Sequence, residues 1–262
     1  DRRLMSEGPS TFSHNAQRGT CHMSIPLQAW VLAGATATGK TAVAQALAEQ
    51  LGTAILSSDA MLVYRGMDIG TAKPTPAERG DILYFGMDLV SPSEPFSTGL
   101  WLAEAARAFS SSGTSFRTVR VCPESGSGSD PALIVAGGTG LYLKALTAGF
   151  DSEGADPAAR AHWQAIFEQE GLAALQNALA ARAPKALAAL ADPANPRRLI
   201  RALEHLDTRG MLPANWQQAS APTTVVALRL PREQLHNRIA RRVTHMFERG
   251  LVAEVRALRK AY

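Results

Sequence analysis

The feature that most constrains this chain is an eight-residue segment, residues 34–41, with the spacing G-x-x-x-x-G-K-T. Its two glycines permit backbone dihedral angles that are closed to other residues, so successive N–H groups can turn towards one anion. The lysine adds a positive charge, and the threonine hydroxyl can bind Mg²⁺. The segment is therefore predicted to bind a polyphosphate, and we name it the phosphate loop. It consists of Gly34, Ala35, Thr36, Ala37, Thr38, Gly39, Lys40 and Thr41.

The sequence on either side of the phosphate loop supports this interpretation. The apolar run 29–33 is typical of a buried parallel strand. The segment after the loop is rich in helix-forming residues, with Val43, Leu47 and Leu51 spaced four apart, and Gly52 ends the pattern. A strand, a glycine-rich turn and a helix thus follow in the order that a phosphate site requires, which argues against a chance turn. The helix N-terminus adds partial positive charge at the same place.

Two further short apolar runs, residues 53–57 and 133–136, are predicted to be buried strands. The first of them ends in Ser58 and Asp59. The carboxyl ends of parallel strands form the edge at which such sheets bind ligands. Asp59 is therefore a candidate Mg²⁺ ligand, a candidate general base, or the cap of a following helix, and the residues alone leave these three roles open.

Two glycine-containing segments are predicted near the same edge. Residues 64–74 hold two glycines, a proline and several hydrogen-bonding groups, which favours a loop lining a site. Residues 137–140, Gly-Gly-Thr-Gly, form a tight turn from the third strand into a helix at 141–146. This turn is a weak binding signal, because it would equally serve close packing of the strand and the helix.

The order of these patterns predicts an α/β fold class, with a P-loop NTPase-like parallel sheet core flanked by helices. The 262 residues, 46% of them hydrophobic, suffice for such a core and a small all-α insertion, and alanine and leucine dominate residues 151–193. No stretch approaches the roughly 20 apolar residues of a membrane span. The expected organisation is a disordered leader at 1–27, the first part of the core at 28–150, the helical insertion at 151–193, and a core continuation with basic helices at 194–262.

Cysteine usage restricts the class further. The chain has two cysteines, Cys21 and Cys122, both in stretches that read as loops. This argues against a disulfide scaffold and a cysteine-based metal site, and it fits a reducing, cytoplasmic compartment. The six histidines show no metal-ligand spacing.

Positive charge is concentrated at the end of the chain. The formal net charge is +4, while the segment from Arg229 onwards carries nine Lys and Arg against three Glu. The helix predicted at 233–249 has an apolar face that is expected to be buried and a basic face that suits phosphate contacts to RNA. The apolar face comprises Leu235, Ile239, Val243 and Met246, and the basic residues are Arg238, Arg241 and Arg242 with His245.

Taken together, the motifs closely resemble the tRNA dimethylallyltransferases, also called tRNA isopentenyltransferases. The resemblance covers most of residues 29–260, and its motifs occur in the order that this family shows. They are the phosphate loop, 58–59 with 64–74, Asp88 with 91–97, 135–143, 195–204 and 232–258.

The resemblance implies a reaction. In this family the phosphate loop holds the diphosphate of dimethylallyl diphosphate with Mg²⁺, for which Thr41 is the metal position. The dimethylallyl group is transferred to N6 of the adenosine immediately 3′ of the anticodon, and diphosphate is released. The implied catalytic residues are Asp59, as general base, with Lys40 and Arg198 on the leaving diphosphate.

The resemblance also implies an RNA partner, the anticodon stem-loop of tRNA, gripped in part by the helical insertion. A monomer without membrane association is expected. The implied tRNA-binding positions are Asp59, Ala60, Met61, Leu62, Thr139, Arg197, Arg198, Leu199, Ile200 and Arg201.

The chain departs from the family pattern at three places. Ala60 stands where serine is common, and Tyr84-Phe85 replaces a frequent His-His pair. The sequence ends at Tyr262, before the family's V-G-Y-R-Q segment, so a C-terminal truncation is expected.

Three other functions are alternatives to tRNA prenylation. The first is an adenylate isopentenyltransferase that acts on free nucleotides, which the basic C-terminal region disfavours. The second is a small-molecule P-loop kinase, which gives no reason for the segment from Asp59 to Pro74. The third is a non-catalytic RNA-binding protein.

Overall fold

The computed structural model describes residues 29–111, 133–148, 156–210 and 225–262, which contain five strands and ten helices. The expected leader, both cysteines and the Ser/Gly-rich segment at 112–132 lie outside these ranges. The first part of the chain forms β1 (Ala29–Gly34), α1 (Lys40–Leu51), β2 (Ala54–Ser57), α2 (Pro76–Arg79), β3 (Tyr84–Phe85), α3 (Thr98–Ser111), β4 (Leu133–Gly137) and α4 (Gly140–Ala148). The second part forms α5 (Pro157–Glu170), α6 (Leu172–Arg182), α7 (Pro184–Ala189), α8 (Pro196–Arg209), β5 (Val225–Leu228), α9 (Arg232–Glu248) and α10 (Leu251–Ala261).

The strands form one parallel sheet in the order β3-β2-β4-β1-β5. In register, Val31 of β1 lies opposite Val135 on one side and Val225 on the other. The parallel α/β core predicted from the sequence is confirmed. The strand β3 was not predicted, since two residues are too short to give a periodic signal. Because all strands are parallel, β1, β2 and β4 deliver their carboxyl ends to one edge.

Both faces of the sheet are covered by helices. Trp101 and Phe109 of α3 pack on one face with Val31 and Val135, and α1 covers the other face. The alternation of inward residues along β1, with Val31 on one side and Leu32 on the other, follows the two-residue period of a strand. A strand buried on both faces is apolar along its length, which is why β1, β2 and β4 were recognisable as short apolar runs.

Helices α5 to α8, which we name the helical unit, have a hydrophobic core of their own. Trp163 and Leu175 of α5 and α6 pack with Leu199 and Leu203 of α8. The packed unit therefore extends through α8, beyond the boundary expected at residue 193, because α8 supplies two of its fully buried leucines.

The helices α9 and α10, which we name the C-terminal hairpin, contain no buried residue. The prediction that α9 buries its apolar face is wrong. Val243 is 44% exposed, and Leu235, Ile239 and Met246 are only half-buried. The physical reason is that the amphipathic pattern produces an apolar stripe, which the described elements cover only in part. Within the described ranges, no helix combines the length and the apolar character needed to cross a membrane.

Candidate active site

The phosphate loop connects β1 to α1 through backbone conformations that favour glycine. Gly34 has φ 152°, and a Cβ atom there would lie 2.7 Å from the carbonyl oxygen of Leu228. Gly39 has φ 97° and directly precedes α1. Ala37 also adopts a positive φ, 66°. This loop conformation leaves the first N–H groups of α1 available to an anion, as the sequence motif predicts.

Lys40 is folded back across the phosphate loop. Its Nζ donates a hydrogen bond to the carbonyl oxygen of Ala35 at 2.7 Å, and the Thr38 hydroxyl donates to the same oxygen at 2.9 Å. Burial lowers the pKa of Lys40, while the nearby Asp59 acts in the opposite direction and Arg242 adds to the lowering. Lys40 therefore shares one electrostatic environment with an acid from β2 and an arginine from α9.

Asp59 follows the carboxyl end of β2 and lies in a turn. Its Oδ1 accepts a hydrogen bond from the N–H of Met61 at 2.9 Å, and its own N–H donates to the Ser57 hydroxyl at 3.3 Å. No helix begins after Asp59; the next one is α2, at Pro76. The helix-cap alternative is therefore wrong, and the roles of base and of metal ligand remain.

Thr139 ties the ends of β2 and β4 together. Its hydroxyl accepts a hydrogen bond from the N–H of Ala60 at 2.9 Å, and its own N–H donates to the carbonyl oxygen of Ser58 at 3.1 Å. Gly137 has no room for a Cβ atom, which would overlap Ser58. The Gly-Gly-Thr-Gly turn thus serves close packing, and the contacts of Thr139 position the backbone around Asp59.

A cavity of about 680 Å³ opens beside these groups. It is lined by Lys40 and Thr41, by Asp59, by the segment 71–74, and by four arginines of the C-terminal hairpin and the turn after α9. The combination of an anion-binding loop, a carboxylate and several cations is suited to a diphosphate and a group that must lose a proton. The arginines are Arg238, Arg241, Arg242 and Arg249.

The cavity role of these arginines was not predicted from the sequence, where the basic side of α9 was assigned to RNA. Arg238 reaches the phosphate loop, with its Nη2 3.5 Å from where a Cβ of Gly39 would stand. The Nη2 of Arg242 donates to the carbonyl oxygen of Thr71 at 3.1 Å. A signal was present, since arginines at 238, 241, 242 and 249 share one helical face, but the sequence does not show what that face meets.

The predicted site loop, residues 64–74, is held by a buried lysine. Lys73 is 5% exposed and forms ion pairs with Asp68 at 2.7 Å and Asp88 at 2.5 Å. Its Nζ also donates to the carbonyl oxygen of Tyr64 at 2.7 Å. These contacts compensate the buried charge and fix the segment 71–74 as one wall of the cavity.

Tyr84 also lines the cavity. Its hydroxyl donates to Oε1 of Gln45 at 2.7 Å, and Nε2 of Gln45 donates to the carbonyl oxygen of Arg79 at 2.9 Å. Burial raises the pKa of Tyr84 to about 12, so the phenol stays neutral at physiological pH.

The arginines predicted on α8 lie on the helical unit and do not line the cavity. Arg197 and Arg198 are exposed in the first turn of α8, while Arg201 pairs with Glu204 at 3.0 Å. Leu199 and Ile200, both predicted to contact tRNA, are buried in the core of the helical unit. At the other predicted positions, Met61 is 46% exposed and Leu62 is buried.

Residues 62–262 match the family described as IPP transferase, and residues 27–82 match the family described as isopentenyl transferase. The chain belongs to the IPP transferase family. It is 41% identical over 235 residues to tRNA dimethylallyltransferase 2 of Syntrophus aciditrophicus (strain SB), an alignment that covers 87% of this chain and 71% of that protein.

Solved structures are similar to this chain as well. A tRNA delta(2)-isopentenylpyrophosphate transferase from Staphylococcus epidermidis is similar with a TM-score of 0.52 and 28% identity, covering 89% of this chain and 73% of its own. A eukaryotic dimethylallyltransferase acting on tRNA has the same fold, with a TM-score of 0.66 and 22% identity over 89% of this chain and 56% of its own.

Proposed function

We propose that this chain transfers a dimethylallyl group from dimethylallyl diphosphate to N6 of the adenosine 3′ of the anticodon in tRNA. The observation that carries the proposal is one cavity that brings together the phosphate loop, Asp59 and the arginines of the C-terminal hairpin. Membership of the IPP transferase family supports it. In the transfer, the bond between C1 of the donor and its diphosphate oxygen breaks, a bond forms between C1 and N6, and N6 loses a proton.

The diphosphate is assigned to the phosphate loop and the cations around it. Backbone N–H groups at the start of α1, Lys40, Arg238 and Arg242 all face the same space. As the bond to C1 breaks, negative charge grows on the leaving diphosphate, so these groups bind it more tightly in the transition state than in the ground state. This differential binding lowers the barrier to transfer.

Arg242 suits this role better than Arg198, the residue that the family resemblance implies. Arg242 lines the cavity and is close enough to Lys40 to lower its pKa. Arg198 is exposed on the helical unit, where with Arg197 it is available for phosphate contacts to the anticodon stem-loop.

Asp59 is assigned as the general base. The exocyclic amine of adenine is a weak nucleophile, and a positioned carboxylate that accepts its proton contributes about 10²–10⁴-fold to the rate. The turn that holds Asp59 is fixed by Met61 on its carboxylate and by Thr139 on the next residue, Ala60. This preorganisation keeps the carboxylate at the mouth of the diphosphate site.

Magnesium fits the residues that are present. The described ranges hold no cluster of three His, Cys, Asp or Glu side chains that could bind a metal by itself. Thr41 is exposed and lines the cavity, and Mg²⁺ typically binds substrate phosphates and waters with only one or two protein ligands. Bound there, the ion would neutralise charge on the diphosphate.

The RNA partner is assigned to exposed basic groups of α8 and α10. Arg256, Arg259 and Lys260 are exposed on α10, and a single-stranded loop can present its base without breaking a duplex. We expect a monomeric, cytoplasmic enzyme that contacts the RNA backbone through these groups and those of α8. Light scattering in solution would measure the oligomeric state.

The test is transfer of radiolabelled dimethylallyl diphosphate to an unmodified anticodon stem-loop RNA with Mg²⁺. We expect Asp59→Asn to lower kcat by about 10²–10⁴-fold while leaving the fold intact, because amide and carboxylate are nearly isosteric. Asp81→Asn, at an exposed position outside the cavity lining, is the matched control and should act like wild type. Label on free AMP instead of the RNA would indicate the adenylate isopentenyltransferase alternative, and no label on either acceptor would refute the proposal.

A further inference from the structure

The carboxylate of Glu254, on α10, is bound by three successive backbone N–H groups of the site loop. Its Oε2 accepts from Asp68 at 2.9 Å and from Ile69 at 2.6 Å, and its Oε1 accepts from Gly70 at 3.0 Å. Three N–H donors converging on one carboxylate resemble an anion nest, and hydrogen bonds to an ionised acceptor are the stronger kind. Both oxygens of Glu254 are engaged by a segment more than 180 residues away in sequence.

Side-chain packing brings the same two segments into close contact. A Cβ atom at Gly70 would lie 3.1 Å from Cδ1 of Leu251, and one at Gly66 would lie 3.6 Å from Cδ2 of Leu258. Since Leu251, Glu254 and Leu258 follow the helical spacing of three and four residues, one face of α10 lies along the loop. The contact is therefore a continuous one and Glu254 is at its centre.

The far end of this loop is a wall of the cavity. Asp68, whose N–H is held by Glu254, forms an ion pair with Lys73 at 2.7 Å, and Lys73 lines the cavity. Thr71 also lines the cavity, and its carbonyl oxygen accepts the hydrogen bond from Arg242. Hydrogen bonds thus link Glu254 to residues 68–70, the backbone continues to Thr71, and the Thr71 carbonyl oxygen accepts from the guanidinium assigned to the diphosphate.

We propose that Glu254 is a positioning residue for diphosphate binding. It holds residues 68–70 so that the Thr71 carbonyl and Lys73 stay in place, and the Thr71 carbonyl in turn orients Arg242 towards the phosphate loop. The inference rests on the proposed function only in taking a diphosphate as the ligand. Glu254 attaches the C-terminal hairpin, which contains no buried residue, to the wall of the site.

The chemistry of Glu254→Gln makes it a discriminating variant. A glutamine amide keeps one oxygen acceptor and replaces the other with an NH₂ donor, which cannot accept a hydrogen bond. Depending on the orientation of the amide, this NH₂ group faces either the N–H of Gly70 or those of Asp68 and Ile69. At least one bond is therefore lost, together with the negative charge. Glu254→Asp keeps the charge on a shorter side chain and should be affected less. Glu248→Gln, on the same hairpin and 67% exposed, is the control.

The experiment measures the Kd of inorganic pyrophosphate with Mg²⁺ by titration calorimetry, and KM and kcat for dimethylallyl diphosphate at saturating RNA. We expect Glu254→Gln to raise both Kd and KM about tenfold, the equivalent of one hydrogen bond to a charged group, with kcat within about twofold of wild type. A merely structural role would instead reduce the active fraction, and so kcat, with Kd and KM unchanged. That result, or a Kd equal to that of Glu248→Gln, would overturn the proposal.

A double-mutant cycle keeps the proposal falsifiable if Glu254→Gln folds poorly. Glu254→Asp is then combined with Arg242→Ala, and because Glu254 acts through Arg242, the aspartate change should have little further effect on Kd in the Arg242→Ala background. Additive effects would overturn the inference. If wild type itself does not bind pyrophosphate, the diphosphate site of the proposed function fails, an outcome distinct from one in which wild type and Glu254→Gln bind equally well.

Discussion

The phosphate loop and the C-terminal hairpin face each other across one cavity, but different interactions hold them in place. The phosphate loop lies between β1 and α1. Val31 of β1 is buried on one face of the sheet, and Leu32 of β1 packs with α1 on the other. The hairpin has no buried residue and meets the loop 64–74 through the polar contacts of Arg242 and Glu254 and the packing of α10 leucines. One wall of the site is fixed by the core, and the other depends on few interactions that a single substitution can remove.

This difference also explains what the sequence could predict. The phosphate loop, β2, β4 and the position of Asp59 are encoded locally, because a strand, a turn and a helix each leave a pattern within a dozen residues. The hydrogen bond of Arg242 joins residues 171 positions apart in the sequence, and those of Glu254 join residues 184 to 186 positions apart. No local sequence pattern records such contacts. The apolar stripe of α9 was expected to be buried and is only partly covered, because periodicity shows that a face exists and not what covers it.

The largest expected effect on stability is in the hydrophobic core that fixes the phosphate-loop wall of the site. Trp101 is fully buried, stacks on Tyr142 with ring centroids 4.6 Å apart, and donates from Nε1 to the carbonyl oxygen of Ser57 at 2.8 Å. Trp101→Ala should lower the free energy of unfolding by about 3–5 kcal/mol, measured by denaturant titration. Trp101→Phe should cost less, because it keeps most of the packing. A loss below about 1 kcal/mol for the alanine variant would contradict the description of this wall as fixed by the core.

The largest expected effect of the hairpin is on activity. Arg242→Ala should lower kcat/KM for dimethylallyl diphosphate by about 10²–10³-fold, because it removes a cation from the leaving diphosphate. The free energy of unfolding should change little, since the helix has no buried residue. Arg232→Ala, at the exposed start of α9, is the control. Equal activities for the two variants would remove Arg242 from the site.

A smaller effect is expected in the pH dependence of diphosphate binding, because the pKa of Lys40 depends on groups from both walls of the site. Burial lowers the pKa of Lys40, so its cationic form is lost at a lower pH than that of an ordinary lysine, and affinity for pyrophosphate should fall there as pH rises. Arg242 contributes to the lowering and Asp59 opposes it. The fall should therefore move to higher pH in Arg242→Ala and to lower pH in Asp59→Asn, as measured by titration across alkaline pH.

The sign of the linked stability change follows from the same shift. The unfolded chain binds a proton at Lys40 more tightly than the folded chain does, so the cost of burying the charged lysine is present below the folded pKa. That cost disappears as pH rises through the folded pKa towards the unfolded value, so the free energy of unfolding rises over this range.

The binding profiles of the two variants test the opposed roles of Arg242 and Asp59. A shift of the profile in the same direction for both variants would contradict those roles.

The smallest effect is expected at an exposed apolar residue of the hairpin, where the contrast with the buried core is most direct. Phe247 lies at the end of α9 and is 57% exposed. Phe247→Ser removes an aromatic ring that is already largely in water, so the free energy of unfolding should fall by less than about 1 kcal/mol, against about 3–5 kcal/mol for Trp101→Ala. Pyrophosphate affinity should stay unchanged, because Phe247 does not line the cavity. A loss comparable to that of Trp101→Ala would show that Phe247 is covered in solution, and the hairpin would then owe its position to packing as well as to Arg242 and Glu254.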